Sequence, residues 1–106
     1  MMPRLTLPQG QGRRLDRMTN LDPATLRALA DEGNERALDR LADLADARGD
    51  VAALSELLDE GSMHAGRLLT RRAVTAGDLL ELQRVSDAGY EEAATELARL
   101  LDDPAR

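Results

Sequence analysis

The sequence predicts an all-α protein, an α-solenoid of three helical hairpins (six helices) with an irregular N-terminal arm. One pattern repeats three times without gaps at a period of 28 residues, in units that begin at Leu21, Gly49 and Gly77. The apolar residues, 42% of the chain, include no Phe or Trp and a single Tyr. Strands favour β-branched and aromatic residues, which are scarce here, so a core of mostly Leu and Ala indicates helices. Self-similarity at a fixed period is typical of repeat architectures.

Each unit opens with a residue that is suited to start a helix. Asp22, Asp50 and Asp78 occupy equivalent positions, and an Asp side chain accepts hydrogen bonds from the free N–H groups of a first helical turn. Pro23 follows Asp22 at the position where a helix tolerates proline best. Glu81 stands three residues after Asp78, the spacing of a capping box. We expect a first helix of about 9 residues in each unit.

Glycines are predicted to end these helices and those that follow, because a residue in the left-handed conformation commonly terminates a helix. The breaks are expected at Gly33, Gly49, Gly61, Gly77 and Gly89. The second helix of each unit is then about 14 residues long. Asn34 and Ser62 can cap it in the first two units, whereas Tyr90 in the third unit cannot.

The second helices share a column of small residues, Ala37, Ala65 and Ala93. Small side chains let two helices cross closely. Because a two-helix unit cannot bury its apolar face alone, we expect the units to stack into a right-handed superhelix.

The repeat also sets the domain boundaries. We expect a basic arm at residues 1–20, flexible or docking, then a repeat domain at 21–103 and a tail at 104–106. The units of the repeat domain are 21–48, 49–76 and 77–103.

Two strings of the repeat domain are similar to a known family. "AGYEEAATELARLL" (residues 88–101) resembles the first helix of a Sel-like repeat, a relative of the tetratricopeptide repeat with a G-x-x-x-A-x-x-x-L core. "AALSELLDEG" (residues 52–61) resembles the second helix. The resemblance covers residues 21–103. Since those families are mainly protein-binding scaffolds, it implies a binding module and identifies no ligand.

Composition argues against several classes of function. With no Cys and one His, the chain lacks the side chains for a disulfide, a thiolate nucleophile or structural zinc. We find no nucleophile–base pair and no Gly-rich phosphate loop, so we expect no enzyme, no cofactor and no metal. No apolar run has the length of a membrane span, and the N-terminus lacks the apolar core of a secretion signal. A cytoplasmic location without membrane contact is therefore expected.

Charge is unevenly distributed along the chain. Residues 1–20 carry four Arg against one Asp, a net charge of +3, and the remainder carries 10 Arg against 19 acids, a net charge of −9. An acidic body disfavours nucleic acid, whose binding depends on neutralising phosphates. The arm has three interpretations: a disordered tail, a cap over the first helix pair, or a docking arm with Arg13, Arg14 and Arg17 as partner contacts.

Unit two departs from the repeat by a cluster of basic residues. Arg72 replaces a leucine of the other units, and it follows Arg67 and Arg71 in the string "RLLTRR". One interpretation is an anchor for an acidic partner. The other, which the repeat favours, pairs these arginines with the acids of unit one, since Arg67 and Arg71 stand at the positions that Asp39 and Asp43 occupy there.

Three single residues also differ from their counterparts. Gly66 stands inside a helix, where glycine costs about 1 kcal/mol relative to alanine. His64 is interpreted as an exposed residue of a first helical turn, since no second group for proton transfer can be assigned. Tyr90, the lone aromatic, is either a partner contact or a partly packed cap residue.

The last helix is the other candidate contact surface. Ala94, Leu97, Ala98 and Leu101 recur at helical spacing, and no further unit follows to cover them. We therefore expect a non-enzymatic protein–protein interaction or scaffold module, with Leu97 and Leu101 at the contact. The alternative is a self-assembling structural component that stacks through its terminal repeats. The partner is accordingly a second protein or the chain itself.

Overall fold

The computed structural model describes residues 22–103, and this part of the chain is helical with no strand. Its helices are α1 (Pro23–Asp31), α2 (Glu35–Arg48), α3 (Val51–Asp59), α4 (Met63–Ala76), α5 (Leu79–Asp87) and α6 (Glu91–Leu101). The predicted all-α class and the count of six helices are thus confirmed for the described residues. The arm at residues 1–20 and the tail at 104–106 lie outside them.

Side-chain caps begin five of the helices. Asp22, Asp50 and Asp78 accept hydrogen bonds from the backbone N–H three residues later, over 2.8, 3.0 and 3.0 Å. Asn34 and Ser62 do the same for α2 and α4, each over 3.0 Å. These bonds satisfy N–H groups that have no partner inside the helix. The predicted helix starts are confirmed, including the absence of a side-chain cap at Tyr90.

The predicted breaks are confirmed as well, since all five glycines lie between helices with positive φ. Gly49 shows the geometry best: its φ is 72°, and its N–H donates to the Asp46 carbonyl over 3.0 Å. The next N–H, of Asp50, donates to the Ala45 carbonyl over 2.9 Å. This pair of bonds closes the end of α2 and lets α3 start only two residues later.

The lengths of the helices alternate as the repeat predicts. The short helices α1, α3 and α5 have 9 residues each, and α2 and α4 have 14. The last helix, α6, is shorter at 11 residues. Its sequence continues into Pro104, and the residue before a proline disfavours helical backbone angles.

The helices pack in an order that follows the repeat. Each contacts its neighbour in the chain, and the longer helices also contact one another directly, α2 with α4 and α4 with α6. The small column lies inside: Ala37, Ala65 and Ala93 are 4%, 0% and 0% exposed. Ala65 and Ala93 belong to one apolar core cluster with leucines of α3, α4 and α5.

Polar side chains connect successive units at the surface. Arg27 in α1 pairs with Glu60 at the end of α3 over 2.5 Å, and Arg84 in α5 donates to the Ser55 hydroxyl of α3 over 2.6 Å. The Ser62 hydroxyl donates to Asp39 of α2 over 3.0 Å. Exposed pairs of this kind are worth little individually, so the apolar contacts carry most of the packing free energy.

The two departures at Gly66 and Tyr90 are one packing feature. The Tyr90 ring is buried against α4, at 8% exposure. A Cβ added at Gly66 would lie 2.6 Å from the Tyr90 Cδ1 atom and 2.7 Å from Cγ, closer than carbon atoms approach. Gly66 therefore leaves the space that the ring fills. Gly66 lowers the helix propensity of α4 but accommodates the ring of Tyr90, the residue that cannot cap α6.

We predict that Gly66→Ala and Tyr90→Asn are strongly coupled. With Tyr90 present, Gly66→Ala should lower the free energy of unfolding by about 1–3 kcal/mol through overpacking. With Asn at position 90, the residue type that caps unit one, Gly66→Ala should raise it by about 1 kcal/mol through helix propensity. Urea unfolding of the four proteins of this double-mutant cycle measures both effects. Equal effects of Gly66→Ala in the two backgrounds would contradict the pairing.

Candidate protein-interaction surfaces

One face of α6 lacks the cover that its counterparts have. The 28-residue period allows a like-for-like comparison of two helix columns. These columns are Ala42, Thr70 and Ala98, and Ala45, Ala73 and Leu101. In α2 and α4 the members are at most 7% exposed, whereas Ala98 is exposed and Leu101 is 64% exposed. The difference is that another helix pair follows α2 and α4, and within residues 22–103 none follows α6.

Four residues make up this surface, which we term the α6 end face: Ala94, Leu97, Ala98 and Leu101. Leu97 is half-buried and packs against the core with part of its side chain, while Ala94, Ala98 and Leu101 are exposed. The face is therefore continuous with the core at Leu97 and open at Leu101. Contiguous exposed apolar area usually marks a contact surface.

The basic residues of unit two meet an acid of unit one. Arg72 donates from Nε to Asp46 Oδ1 and from Nη2 to the Asp46 carbonyl, both over 2.6 Å. Arg71 Nη2 lies 3.9 Å from Asp46 Oδ2. The arginines of unit two thus pair with an acid of unit one, and that acid is Asp46 rather than Asp39 or Asp43 at the equivalent positions. Asp46 lies one turn further along α2 than Asp43, and equal repeat positions do not meet at equal height.

His64 connects α2 and α4. Its Nε2 lies 2.6 Å from Asp43 Oδ1, and Arg67 Nη2 contacts Nδ1. Because Arg67 can only donate, the network assigns the acceptor role to Nδ1 and the proton to Nε2, which donates to Asp43. The side chain is only 20% exposed, so the interpretation of His64 as an exposed turn residue is wrong. The sequence could not show that Asp43 faces it from another helix.

Tyr90 packs against α4, and the glycine at position 66 was the sign of this role in the sequence. Its hydroxyl donates to Glu92. Burial of the ring, together with this hydrogen bond, raises the pKa of Tyr90 to about 12, so the phenol stays protonated and keeps donating at neutral pH. A buried ring offers little area to a partner, and its assignment as a partner contact stays a prediction.

A groove runs between α4 and α6, with a volume of about 450 Å³. Arg67, Thr70, Arg71 and Val74 line it from α4, and Tyr90 and Arg99 lie on the other side. Two of the predicted basic contacts, Arg67 and Arg71, therefore face this groove, whereas Arg72 turns toward α2. We term it the α4–α6 groove.

Other predicted features lie outside the described residues or away from these surfaces. Arg13, Arg14 and Arg17 belong to the arm, which the structure does not describe. Among residues 22–103, no three His, Cys, Asp or Glu side chains are grouped to hold a metal ion. None of the six described helices has the length and apolar character needed to cross a lipid bilayer.

Comparison with known proteins adds no relative: no family model, curated protein or solved structure matches the chain significantly. The resemblance to Sel-like repeats therefore stays a prediction from the strings that carry it.

The two interpretations of the basic cluster predict different thermodynamics at Arg72. If Arg72 serves the fold, a double-mutant cycle of Arg72→Met and Asp46→Asn should give a coupling free energy of about 0.2–1 kcal/mol, the range of exposed ion pairs. The coupling should shrink in about 1 M NaCl because salt screens the pair. Chemical denaturation would be run with urea, which adds no ions. A coupling of zero at low salt would instead leave Arg72 available to a partner.

Proposed function

We propose that this chain is a non-enzymatic protein-interaction module of tetratricopeptide-like type, an α-solenoid whose α6 end face receives a helical segment of a partner protein. The observation that carries the proposal is the loss of cover at Ala98 and Leu101, two positions whose counterparts in α2 and α4 are buried. The equivalent surfaces of α2 and α4 are each covered by a helix pair, so the surface of α6 has the shape and polarity to receive a further pair.

The packing order supports the solenoid. The direct contacts of α2 with α4 and of α4 with α6 place the longer helices side by side, and each short helix contacts the longer helix that follows it. Repeats of this kind bury their apolar faces against their neighbours only. The end of such a stack is the natural position for an uncovered apolar face, and a polar residue is usually found there. Leu101 departs from that rule.

The occupant we favour is a different protein rather than a second copy. In the junction of units one and two, His64 meets Asp43 and Arg72 meets Asp46. If a second copy docked its unit one on α6 in the same way, the corresponding pairs would be Arg36 with Arg99 and Leu44 with Asp102. The first of these pairs has two like charges, and the second places a carboxylate against an apolar side chain.

These substitutions bear on the alternative function. Juxtaposed like charges oppose association, and a carboxylate that loses water without gaining a partner costs free energy. Self-assembly by continuation of the stack is therefore disfavoured, and a partner with its own complementary helix fits better. The proposal assigns no catalytic residue: the single imidazole of the chain is engaged between Asp43 and Arg67.

The end face is tested by Leu101→Asp, alone and combined with Leu97→Asp. We expect proteins that wild type captures from its host extract to be lost from both variants, because a buried unpaired carboxylate is costly. Leu80→Asp is the matched control: Leu80 is 85% exposed on α5, outside the face, and its change should leave capture intact.

Light scattering and thermal unfolding of the same four proteins complete the test. The mass of the wild type should not grow with concentration, and Leu101→Asp should keep the wild-type melting temperature because its site is exposed. Capture that survives in the folded Leu101→Asp and double variants would refute the end face. Growth in mass that Leu101→Asp removes would instead establish self-assembly.

A further inference from the structure

We propose that the α4–α6 groove is a carboxylate-binding site, which holds an Asp or Glu side chain of an extended peptide segment in a partner protein. The inference rests on the proposed function as a protein-binding module and adds a second contact to it. The end face would recognise the partner by apolar burial, and the groove would recognise it by charge. The groove combines the dimensions of a ligand site with an unsatisfied hydroxyl and an exposed guanidinium.

The groove has the dimensions and the lining of a ligand site. Its volume of about 450 Å³ falls in the range of small-ligand pockets, which are mostly apolar with a few polar groups. Val74 and the buried ring of Tyr90 supply apolar surface. Arg67 and Arg71, one helical turn apart on α4, and Arg99 on α6 supply the donors. A carboxylate between them would be reached from both helices.

Thr70 provides a sign that a ligand oxygen belongs in the groove. It is only 7% exposed, it lines the groove, and its Oγ1 atom is buried with no hydrogen-bond partner among residues 22–103. An unsatisfied buried hydroxyl costs roughly a hydrogen bond's desolvation free energy. The equivalent positions in the other units are Ala42 and Ala98, which carry no hydroxyl. Thr70 therefore adds a donor that the fold itself does not use.

Arg71 is the guanidinium best placed to bind an incoming anion. Its side chain is 67% exposed, and its distance of 3.9 Å to Asp46 exceeds that of a hydrogen bond. Asp46 already accepts from Arg72 at 2.6 Å. Arg67, in contrast, donates to His64, and Arg99 donates to Glu96. Arg71 and Arg72 thus share the single negative charge of Asp46, which leaves one positive charge in excess for a ligand carboxylate.

The acids of the groove select the kind of anion. Glu92 and Glu96 also line it, so three Arg face two Glu, a net charge of +1. That balance suits a single carboxylate. A carboxylate would bring this group of side chains to neutrality, whereas a phosphate group with nearly two negative charges would leave an excess of negative charge. The tyrosine hydroxyl is already donated to Glu92, which leaves Thr70 and the guanidiniums as the donors for the ligand.

The test uses the full chain and fluorescence anisotropy with a labelled, end-capped peptide Ala-Leu-Glu-Leu-Ala. We expect saturable binding, and about tenfold weaker binding of the Gln counterpart, the loss typical of one charge-assisted hydrogen bond. Arg71→Gln should weaken binding of the Glu peptide by about the same factor. Arg48→Gln is the control, since Arg48 is an exposed arginine on α2 outside the groove.

Thr70→Val adds a readout that a purely structural role would not give. Removal of an unsatisfied buried hydroxyl should raise the melting temperature, while binding of the Glu peptide weakens several-fold. Both effects together indicate a hydroxyl kept for a ligand. Thr70→Val that lowers the melting temperature, or binds the peptide as wild type does, contradicts the role of Thr70.

Three results would overturn the carboxylate site. The first is no binding of the Glu peptide up to about 1 mM, since a weaker affinity is too low for a specific contact. The second is equal binding of the Glu and Gln peptides, and the third is tighter binding of a phosphoserine counterpart, which would make the groove a phosphate site. The variant Leu97→Asp with Leu101→Asp, if folded, should bind the Glu peptide like wild type. Failure of the end face and failure of the groove are therefore distinguishable.

Discussion

The structure depends on the side-by-side packing of the longer helices, because no helix pair in this chain can bury its apolar face alone. Ala42 and Ala45 of α2 are 0% and 1% exposed because a further helix pair covers them. The small column of Ala37, Ala65 and Ala93 allows the helices to approach. The same requirement that stabilises α2 and α4 leaves α6 with an apolar face in contact with water. Fold and proposed function thus have one physical origin.

Three departures from the repeat meet at the junction of units two and three. Gly66 makes room for the Tyr90 ring, and Thr70 places a hydroxyl where the other units have alanine. Tyr90 and Thr70 line the α4–α6 groove, and Gly66 lies against the Tyr90 ring. None of the three improves the stability of the helix that carries it. Local rules that are broken together at one place are typical of a functional site. The junction of units one and two, in contrast, carries polar pairs at Asp43 and Asp46.

Much of the fold could be predicted from the sequence because caps and stops are local. Asp50 and Gly49 act through backbone groups within three or four residues, so their spacing alone places the helix ends. The partners of His64 and Arg72 could not be predicted, since they depend on how far α4 is shifted along α2. Gly66 and Tyr90, which contact each other, are separated by 24 positions in the sequence. Each departs from the repeat in the sequence, but only the packing shows that one explains the other.

The central claim is that a helix pair fits the α6 end face, and adding one tests it most directly. Joining a second copy of residues 46–76 after Leu101 continues the 28-residue period and replaces Asp102 and the residues beyond it. Amide hydrogen exchange would then be compared in α6 with and without the added pair. The account predicts that protection of α6 rises toward that of α4 and that urea unfolding stays a single transition with a larger m value. Unchanged exchange in α6, with the added residues exchanging as unfolded chain, would contradict it.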